Sequence, residues 1–392
     1  MSRKKKHSSR SEPQPSAQAA ALTQFKPLLS AEEFRLLLEE LQRPLLTAFR
    51  TNPLKTNQSP EVGWAQRYGW QLEPVPYCPT GFWVAQAANP VSMTLEHRTG
   101  HYYIQDAASM LPVELFDLDE LSDPLVLDLA ASPGGKTTHI SSRLSDHGLI
   151  IANDSAADRI TALRLVLQTW GSTNIAVTRF PGEKFGRWFP ETFDRILLDA
   201  PCSMQSLRST DSHPMRSITS REQANLAQRQ ASLLAAAIAA LKVGGQVVYS
   251  TCTLAPSEDE GVLNEILRRF PGAIEIERLE GRLPHSAPAL SQTENEAYDP
   301  QVTRAARLWP HRFHTSGFFA ALIRKTASVD FPQEDAPDRP LSLVGQNPLP
   351  YRMLKEFLSI FSGNYGLPLE DILQEHILEL WQSAAGIFAV PS

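Results

Sequence analysis

The chain reads as an α/β protein built on a mostly parallel sheet with helices on both faces. From about residue 104 to 326, short Val-, Ile- and Leu-rich runs alternate with longer helical patterns. Two of those runs end in turns that carry a cysteine. With 42% hydrophobic residues among 392, the chain can bury a large core and is long enough for more than one domain.

Residues 1–25 open with Arg3, Lys4, Lys5 and Lys6 and continue in Ser, Pro, Gln and Ala, a disordered basic tail. A solubilising role is preferred there to an arm on an RNA backbone or a transit peptide. Residues 26–103 read as a small mixed α+β N-terminal domain. Leu36, Leu37, Leu41 and Leu45 lie at roughly helical spacing behind Glu32-Glu33, which predicts a helical region over 30–50. A strand-like piece follows at Gly81–Val84.

The domain over 104–326 is expected to hold seven strands: Leu125–Leu129, Leu149–Asn153, Asn174–Thr178, Phe193–Asp199, Gln246–Thr251, Ala273–Arg278 and Phe318–Arg324. The last two are expected to be close in sequence and antiparallel. Gly171 closes a helix over Ala156–Trp170, and Gly244-Gly245 are read as closing an Ala-rich helix from about Ala224 to Leu241. Residues 327–340, rich in Asp and Pro, read as a linker. Residues 341–392 form a short C-terminal extension, with an amphipathic helix over Tyr351, Leu354, Phe357, Leu358 and Phe361 and two apolar runs ending at Val390.

Several classes are excluded by composition. A net charge of −6 argues against coating nucleic acid by bulk electrostatics, although it permits a local basic surface. Three cysteines fit neither a disulfide framework nor a zinc site, and the ten histidines show no metal-ligand spacing, so no metal is expected. Cys78 reads as structural. No apolar run approaches a bilayer span and the N-terminus lacks a secretory signal, so no membrane partner is expected; the cysteine usage points to a reducing, cytoplasmic compartment, and a monomer is expected.

The run Asp128-Leu129-Ala130-Ala131-Ser132-Pro133-Gly134-Gly135-Lys136-Thr137 follows the first strand and opens a helix. Its glycines let a ligand approach the backbone, the helix start attracts an anion, and Lys136 adds a cation. The spacing is not that of a phosphate-binding P-loop or of the three-glycine dinucleotide fingerprint. The methionine carboxylate of S-adenosylmethionine suits it better. The next strand ends in Asn153-Asp154, where an acid can hold ribose hydroxyls. The candidate cofactor set is Ala131, Ser132, Pro133, Gly134, Gly135, Lys136, Asp154, Arg159 and Asp199.

The cysteine turns are Asp199-Ala200-Pro201-Cys202-Ser203 and Ser250-Thr251-Cys252-Thr253-Leu254. Ligands bind beyond the carboxyl ends of such strands, so both thiols are expected to face one cleft. A thiolate added to carbon 6 of cytosine makes carbon 5 enamine-like and able to accept a methyl group. That chemistry needs an acid at the ring nitrogen, and Asp199 is the candidate. One buried free cysteine would be read as core filling, but two at one sheet edge favour chemistry.

With these motifs the chain resembles a class I, Rossmann-like methyltransferase of the Nop/Sun family of RNA 5-methylcytosine methyltransferases, in its bacterial small-subunit rRNA branch. The resemblance runs from about Phe34 to Lys325. It includes Gly81-Phe82-Trp83, Glu96-His97, Tyr103–Pro112, the two cysteine motifs fifty residues apart, and Glu258-Asp259-Glu260. It implies Cys252 as the nucleophile, Cys202 as the thiol that helps release product, and Lys136, Asp154 and Asp199 as cofactor and base contacts. The implied substrate is RNA, rRNA rather than tRNA; the net acidic charge and the incomplete RNA-targeting module suit recognition of an assembled ribosomal subunit. The chain departs from the family in three places. Met204-Gln205-Ser206 replaces an expected Gly-x-Gly, with Thr210 where a lysine is expected and Asp211 holding an Asp. Pro181 replaces an Asp that contacts adenine. The family's RNA-binding module is incomplete after the C-terminal extension.

Arg159, Arg164, Arg208, Arg216 and Arg221 are candidates for phosphate contacts, but for Arg159 and Arg164 solvated helix faces with ordinary salt bridges are the preferred reading. His213 is a weaker RNA candidate. Aromatic residues within 64–83 suit base stacking or, more commonly, core packing. Two other functions stay open: a non-catalytic RNA-binding or ribosome-assembly factor, and a DNA methyltransferase using Cys202 as nucleophile.

Overall fold

The computed structural model describes residues 22–56, 59–208, 217–338, 342, 345–375, 378–384 and 386–391. Most of the basic tail lies outside these residues, as do Thr210, Asp211, His213 and Arg216. Helix α1 (Ala31–Leu41) starts in a reciprocal capping box between Ser30 and Glu33. It stops well short of residue 50, and Leu45 is not on it. Pro44 lacks the amide a continuing helix needs, and the chain instead enters strand β1 (Thr47–Thr51).

Helix α2 (Pro60–Tyr68) and strands β2 (Gln71–Pro74), β3 (Gly81–Gln86) and β4 (Tyr102–Ile104) complete the N-terminal unit. Its sheet is antiparallel in the order β2-β3-β1-β4. Phe49, Trp64, Trp70 and Tyr102 pack together beneath it, so Trp64 and Trp70 are core rather than base platforms.

The main sheet takes β5 (Leu125–Asp128), β6 (Leu149–Asn153), β7 (Ile175–Thr178), β8 (Phe193–Asp199), β9 (Leu241–Thr251), β10 (Ile274–Ile276), β11 (Ala306–Leu308) and β12 (Phe318–Lys325). Its path is β10-β12-β9-β8-β5-β6-β7, with β5 to β9 parallel. Helices α3 (Gly135–Arg143), α4 (Ala157–Trp170), α5 (Ser220–Ala240) and α6 (Glu260–Arg269) lie along the connections. The chain builds outward from β5 through β6 and β7, then returns to β8 on the other side. That reversal makes the crevice at the carboxyl ends of β5 and β8 the natural ligand site.

Three expectations need correction. The last two strands do pair antiparallel, β10 with β12, and β12 alone runs against the parallel strands, but the two are not close in sequence. Residues 277–317 separate these two strands, and within them lies β11, an eighth strand paired with β12. It is short and centred on the buried Arg307, which hides it from a hydrophobic pattern. Gly244-Gly245 do not cap α5. That helix ends at Ala240, Leu241 is already extended, and the glycines sit inside β9 where its register against β8 shifts. Gly244 has φ +84°, and a Cβ on Gly245 would lie 2.9 Å from Asp194 O. Gly171 does close α4, at φ +90°.

The stretch read as a linker packs Val329 and Phe331 on the main core, and Glu334 pairs with Lys184 at 2.7 Å. Beyond it, β13 (Asn347–Pro348), α7 (Tyr351–Tyr365), α8 (Leu369–Glu375), β14 (Leu378–Ser383) and β15 (Gly386–Pro391) form a small unit with an antiparallel three-stranded sheet. Among the described residues, no helix is long and apolar enough to cross a membrane.

Candidate active site

The loop after β5 turns into α3 through Gly134, at φ +113°, a conformation that favours glycine. The first amides of α3 have no intrahelical acceptor and face outward as anion donors. A Cβ on Gly135 would lie 2.7 Å from Tyr103 Cε1, so the backbone is pressed against that ring. Arg50 Nη2 donates to Gly135 O at 3.0 Å and to Thr138 Oγ1 at 2.8 Å. Arg50 and Tyr103 are cross-strand partners on β1 and β4, so the N-terminal sheet braces the loop.

Ser132 and Arg159 exchange bonds from the other side. Arg159 Nη2 donates to Ser132 O at 2.7 Å, and Ser132 Oγ donates to Arg159 O at 3.0 Å. Arg159 Nη1 also stands 3.5 Å from Asp154 Oδ2. That oxygen is buried and has no hydrogen-bond partner among the described residues, which fits a ribose hydroxyl. Ala131 and Pro133 line the same turn. Behind it, Asp128 accepts from Thr137 Oγ1 at 2.6 Å, and burial pushes its carboxyl up to about 7. These residues fit the S-adenosylmethionine set.

Lys136 looks the other way. Its Nζ is 2.6 Å from Asp199 Oδ2 and 3.2 Å from Ser109 Oγ, so it links the cofactor loop to the end of β8. Asp199 Oδ1 accepts from Ser250 Oγ at 2.8 Å, across the β8–β9 pair. Burial alone would favour a neutral amine at Lys136, but the charges of Asp199 and Cys252 outweigh it and raise its pKa.

The two thiols meet as expected, with Cys202 Sγ 3.1 Å from Cys252 Sγ. Their surroundings differ. Negative charge at Cys252 helps hold the Lys136 ammonium. The Cys202 thiol is pushed well above the usual range, by its hydrogen bond to Cys252, by burial, and by negative charge at Cys252 and Glu258. The Cys202 thiol is thus held as the proton-bearing member of the pair.

The acidic run after Cys252 anchors both turns. Glu258 Oε2 accepts from Ser203 N at 2.9 Å and from Gln230 Nε2 at 3.0 Å, and that amide also reaches Pro201 O. Asp259 accepts from Thr251 Oγ1 at 2.7 Å, while Glu260 grips the buried Arg307, whose Nη1 donates to Leu254 O. Gln230 and Arg307 have no sequence signal; both come from elements distant along the chain.

Other candidates are placed elsewhere. Arg208 is buried against Glu40, at 2.9 Å, and does not face solvent as a phosphate contact would. Arg164 and Arg221 are exposed, and so is Pro181. Cys78, Glu114 and His139 bring donor atoms within 4.8 Å of one another in the buried seam between the N-terminal sheet and α3. Their separation along the chain concealed this grouping. Glu114 already accepts from His139 Nε2 at 2.8 Å and pairs with Arg143. Burial lowers His139 to about 4 and raises Cys78 to about 12, so the group is satisfied as a neutral thiol and imidazole on a paired carboxylate.

The reversed β12, the glycine turn at the sheet's reversal point and the acid at the end of β6 together define a Rossmann-like methyltransferase. A family model described as 16S rRNA methyltransferase RsmB/F matches residues 116–324, and one for the N-terminal domain of 16S rRNA methyltransferase RsmF matches residues 19–107. The chain belongs to the RsmB/F family of 16S rRNA methyltransferases. The ribosomal RNA small subunit methyltransferase F of Aeromonas salmonicida is 37% identical over 343 residues, covering 86% of this chain and 69% of the relative. The Vibrio parahaemolyticus protein of that name is 38% identical over 307 residues, 78% of this chain and 62% of its own length. Among solved structures, a methyltransferase homologue from Pyrococcus horikoshii is 31% identical with a TM-score of 0.64, over 78% of this chain and 99% of that one. NSun6 from the same organism, 22% identical with a TM-score of 0.67 over 80% of this chain and 99% of its own, shares the fold.

Proposed function

We propose that this chain methylates carbon 5 of a cytosine in small-subunit rRNA, using S-adenosylmethionine and a covalent adduct to Cys252. The observation that carries the reading is the 3.1 Å thiol pair beside the Lys136–Asp199 ion pair. Both stand at the carboxyl ends of β8 and β9, next to the glycine turn. When bound, S-adenosylmethionine supplies an electrophilic methyl group.

The base leaves its stack to enter the crevice, as chemistry on a ring atom requires. Cys252, as thiolate, bonds carbon 6, and the ring nitrogen gains a proton from the Lys136–Asp199 pair. Carbon 5 then takes the methyl group. Its proton leaves to water, the sulfur–carbon 6 bond breaks, and the ring nitrogen returns its proton. Cys202 serves this last step by donating a hydrogen bond from its S–H to the departing Cys252 thiolate, keeping its own proton. A DNA-type assignment, with Cys202 as nucleophile, would need an attacking thiolate at the sulfur that Cys252, burial and the Glu258 charge hold protonated.

Methylation of 16S rRNA with labelled S-adenosylmethionine tests this reading. Cys252→Ala is expected to abolish incorporation, and Cys202→Ala to accumulate a protein–RNA adduct stable to denaturant. Full incorporation by Cys252→Ala would sink the assignment.

A further inference from the structure

The loop after Cys202 takes its shape from contacts far along the chain. Met204 and Leu207 stand at φ +57° and +65°, where a side chain costs on the order of 1 kcal/mol and must be held by its surroundings. Leu254 N donates to Gln205 O at 3.1 Å and Gly317 N to Ser206 O at 2.8 Å. Leu207 is fully buried against Phe25, Leu37, Leu254 and Trp309. Arg208 then locks onto the end of α1. Its Nη1 donates to Arg43 O at 2.6 Å, and its Nη2 to Glu40 O at 3.0 Å and Glu40 Oε1 at 2.9 Å. Those carbonyls lie where a helix runs out of its own donors. His314 Nδ1 meets the other Glu40 oxygen at 3.1 Å.

We infer that Arg208 and Glu40 are positioning residues for Cys202, through which helix α1 sets where that thiol sits relative to Cys252. The inference rests on the division of labour between the thiols given above. A buried ion pair is a poor source of net stability, because desolvation offsets its attraction. Here it joins the N-terminal segment to the loop of the releasing thiol, so its loss acts on release before it acts on methyl transfer.

The test uses the full chain as Arg208→Met, which keeps most of the stem and removes the charge. Denaturant-stable adduct on 16S rRNA, first-turnover methyl transfer and S-adenosylhomocysteine affinity are measured together. Adduct is expected to rise at least about tenfold, first-turnover transfer to fall by a smaller factor, and affinity to stay within about twofold, with Arg208→Lys between the variant and the unaltered chain. Low adduct with both steps and affinity falling together would mark a merely structural pair and overturn the inference. Glu40→Gln breaks the pair from the other side with volume kept; if Arg208→Met does not fold, a folded Glu40→Gln with low adduct overturns it equally. Adduct in Cys202→Ala but in neither ion-pair variant overturns this inference alone. Adduct in none of the three overturns the thiol assignment and the inference with it.

Discussion

The cofactor loop and the Cys202 loop stand at adjacent strand ends and are built in opposite ways. The first turns on its own glycines, Gly134 at φ +113° and Gly135 against Tyr103. The second has no glycine from Ser203 to Arg208, yet it places Met204 and Leu207 in the left-handed region. Its shape comes from Glu258, Leu254, Gly317 and helix α1. A loop whose own residues favour its conformation keeps its shape through small changes elsewhere. A loop held from outside depends on each distant anchor.

The strongest way to break this contrast is at Lys136, which joins the two sides. Lys136→Met leaves Asp199 without its cation and removes a positive charge that interacts with Cys252. Initial-rate assays are expected to show kcat/KM for methylation lower by about a hundredfold. A loss confined to S-adenosylmethionine affinity would place Lys136 with the cofactor loop alone.

Asp128 tests how firmly the first side is built. Its carboxyl, at about 7 in the fold against an ordinary value near 4, holds its proton more tightly folded than unfolded. Its stabilising contribution is therefore complete below about pH 4 and is lost as pH rises through 7. Asp128→Asn keeps an acceptor for Thr137 and is expected to flatten that dependence, gaining about 2 kcal/mol at pH 8 in urea denaturation. An unchanged pH profile would show that burial does not hold the carboxyl neutral.

Pro181 sharpens the same side. Restoring an acid with Pro181→Asp supplies one hydrogen bond to adenine and is expected to tighten S-adenosylhomocysteine binding about threefold to tenfold by calorimetry. No change would mean that the adenine lies elsewhere. The smallest effect is on the other side. Met204→Gly relieves the positive φ and is expected to stabilise the fold by about 0.5–1 kcal/mol, net of the freedom glycine adds to the unfolded chain. Destabilisation would show that the Met204 side chain anchors the loop.

The same contrast separates what was legible in the sequence from what was not. The parallel strands, the glycine turn, Asp154 and both cysteine turns follow from patterns within a few residues. Helix α1 was legible at its start, through Glu32-Glu33, and overextended at its end because the leucine spacing continues past Pro44. Gly244-Gly245 look like a helix stop but relieve a close approach between strands, which no single segment reveals. Strand β11 is hidden because its central residue is a buried arginine paired with two acids. Arg208 reads locally as a surface cation, and its partner Glu40 lies on an element 168 residues away. In each case the missing information is a tertiary partner.

The most direct test of the account is to identify which sulfur bonds the base. A small-subunit rRNA carrying 5-fluorocytosine lacks the carbon 5 proton that release requires, so the adduct is trapped before elimination. Peptide mass spectrometry of the trapped species is expected to find the pyrimidine on Cys252. A pyrimidine on Cys202 would contradict the account.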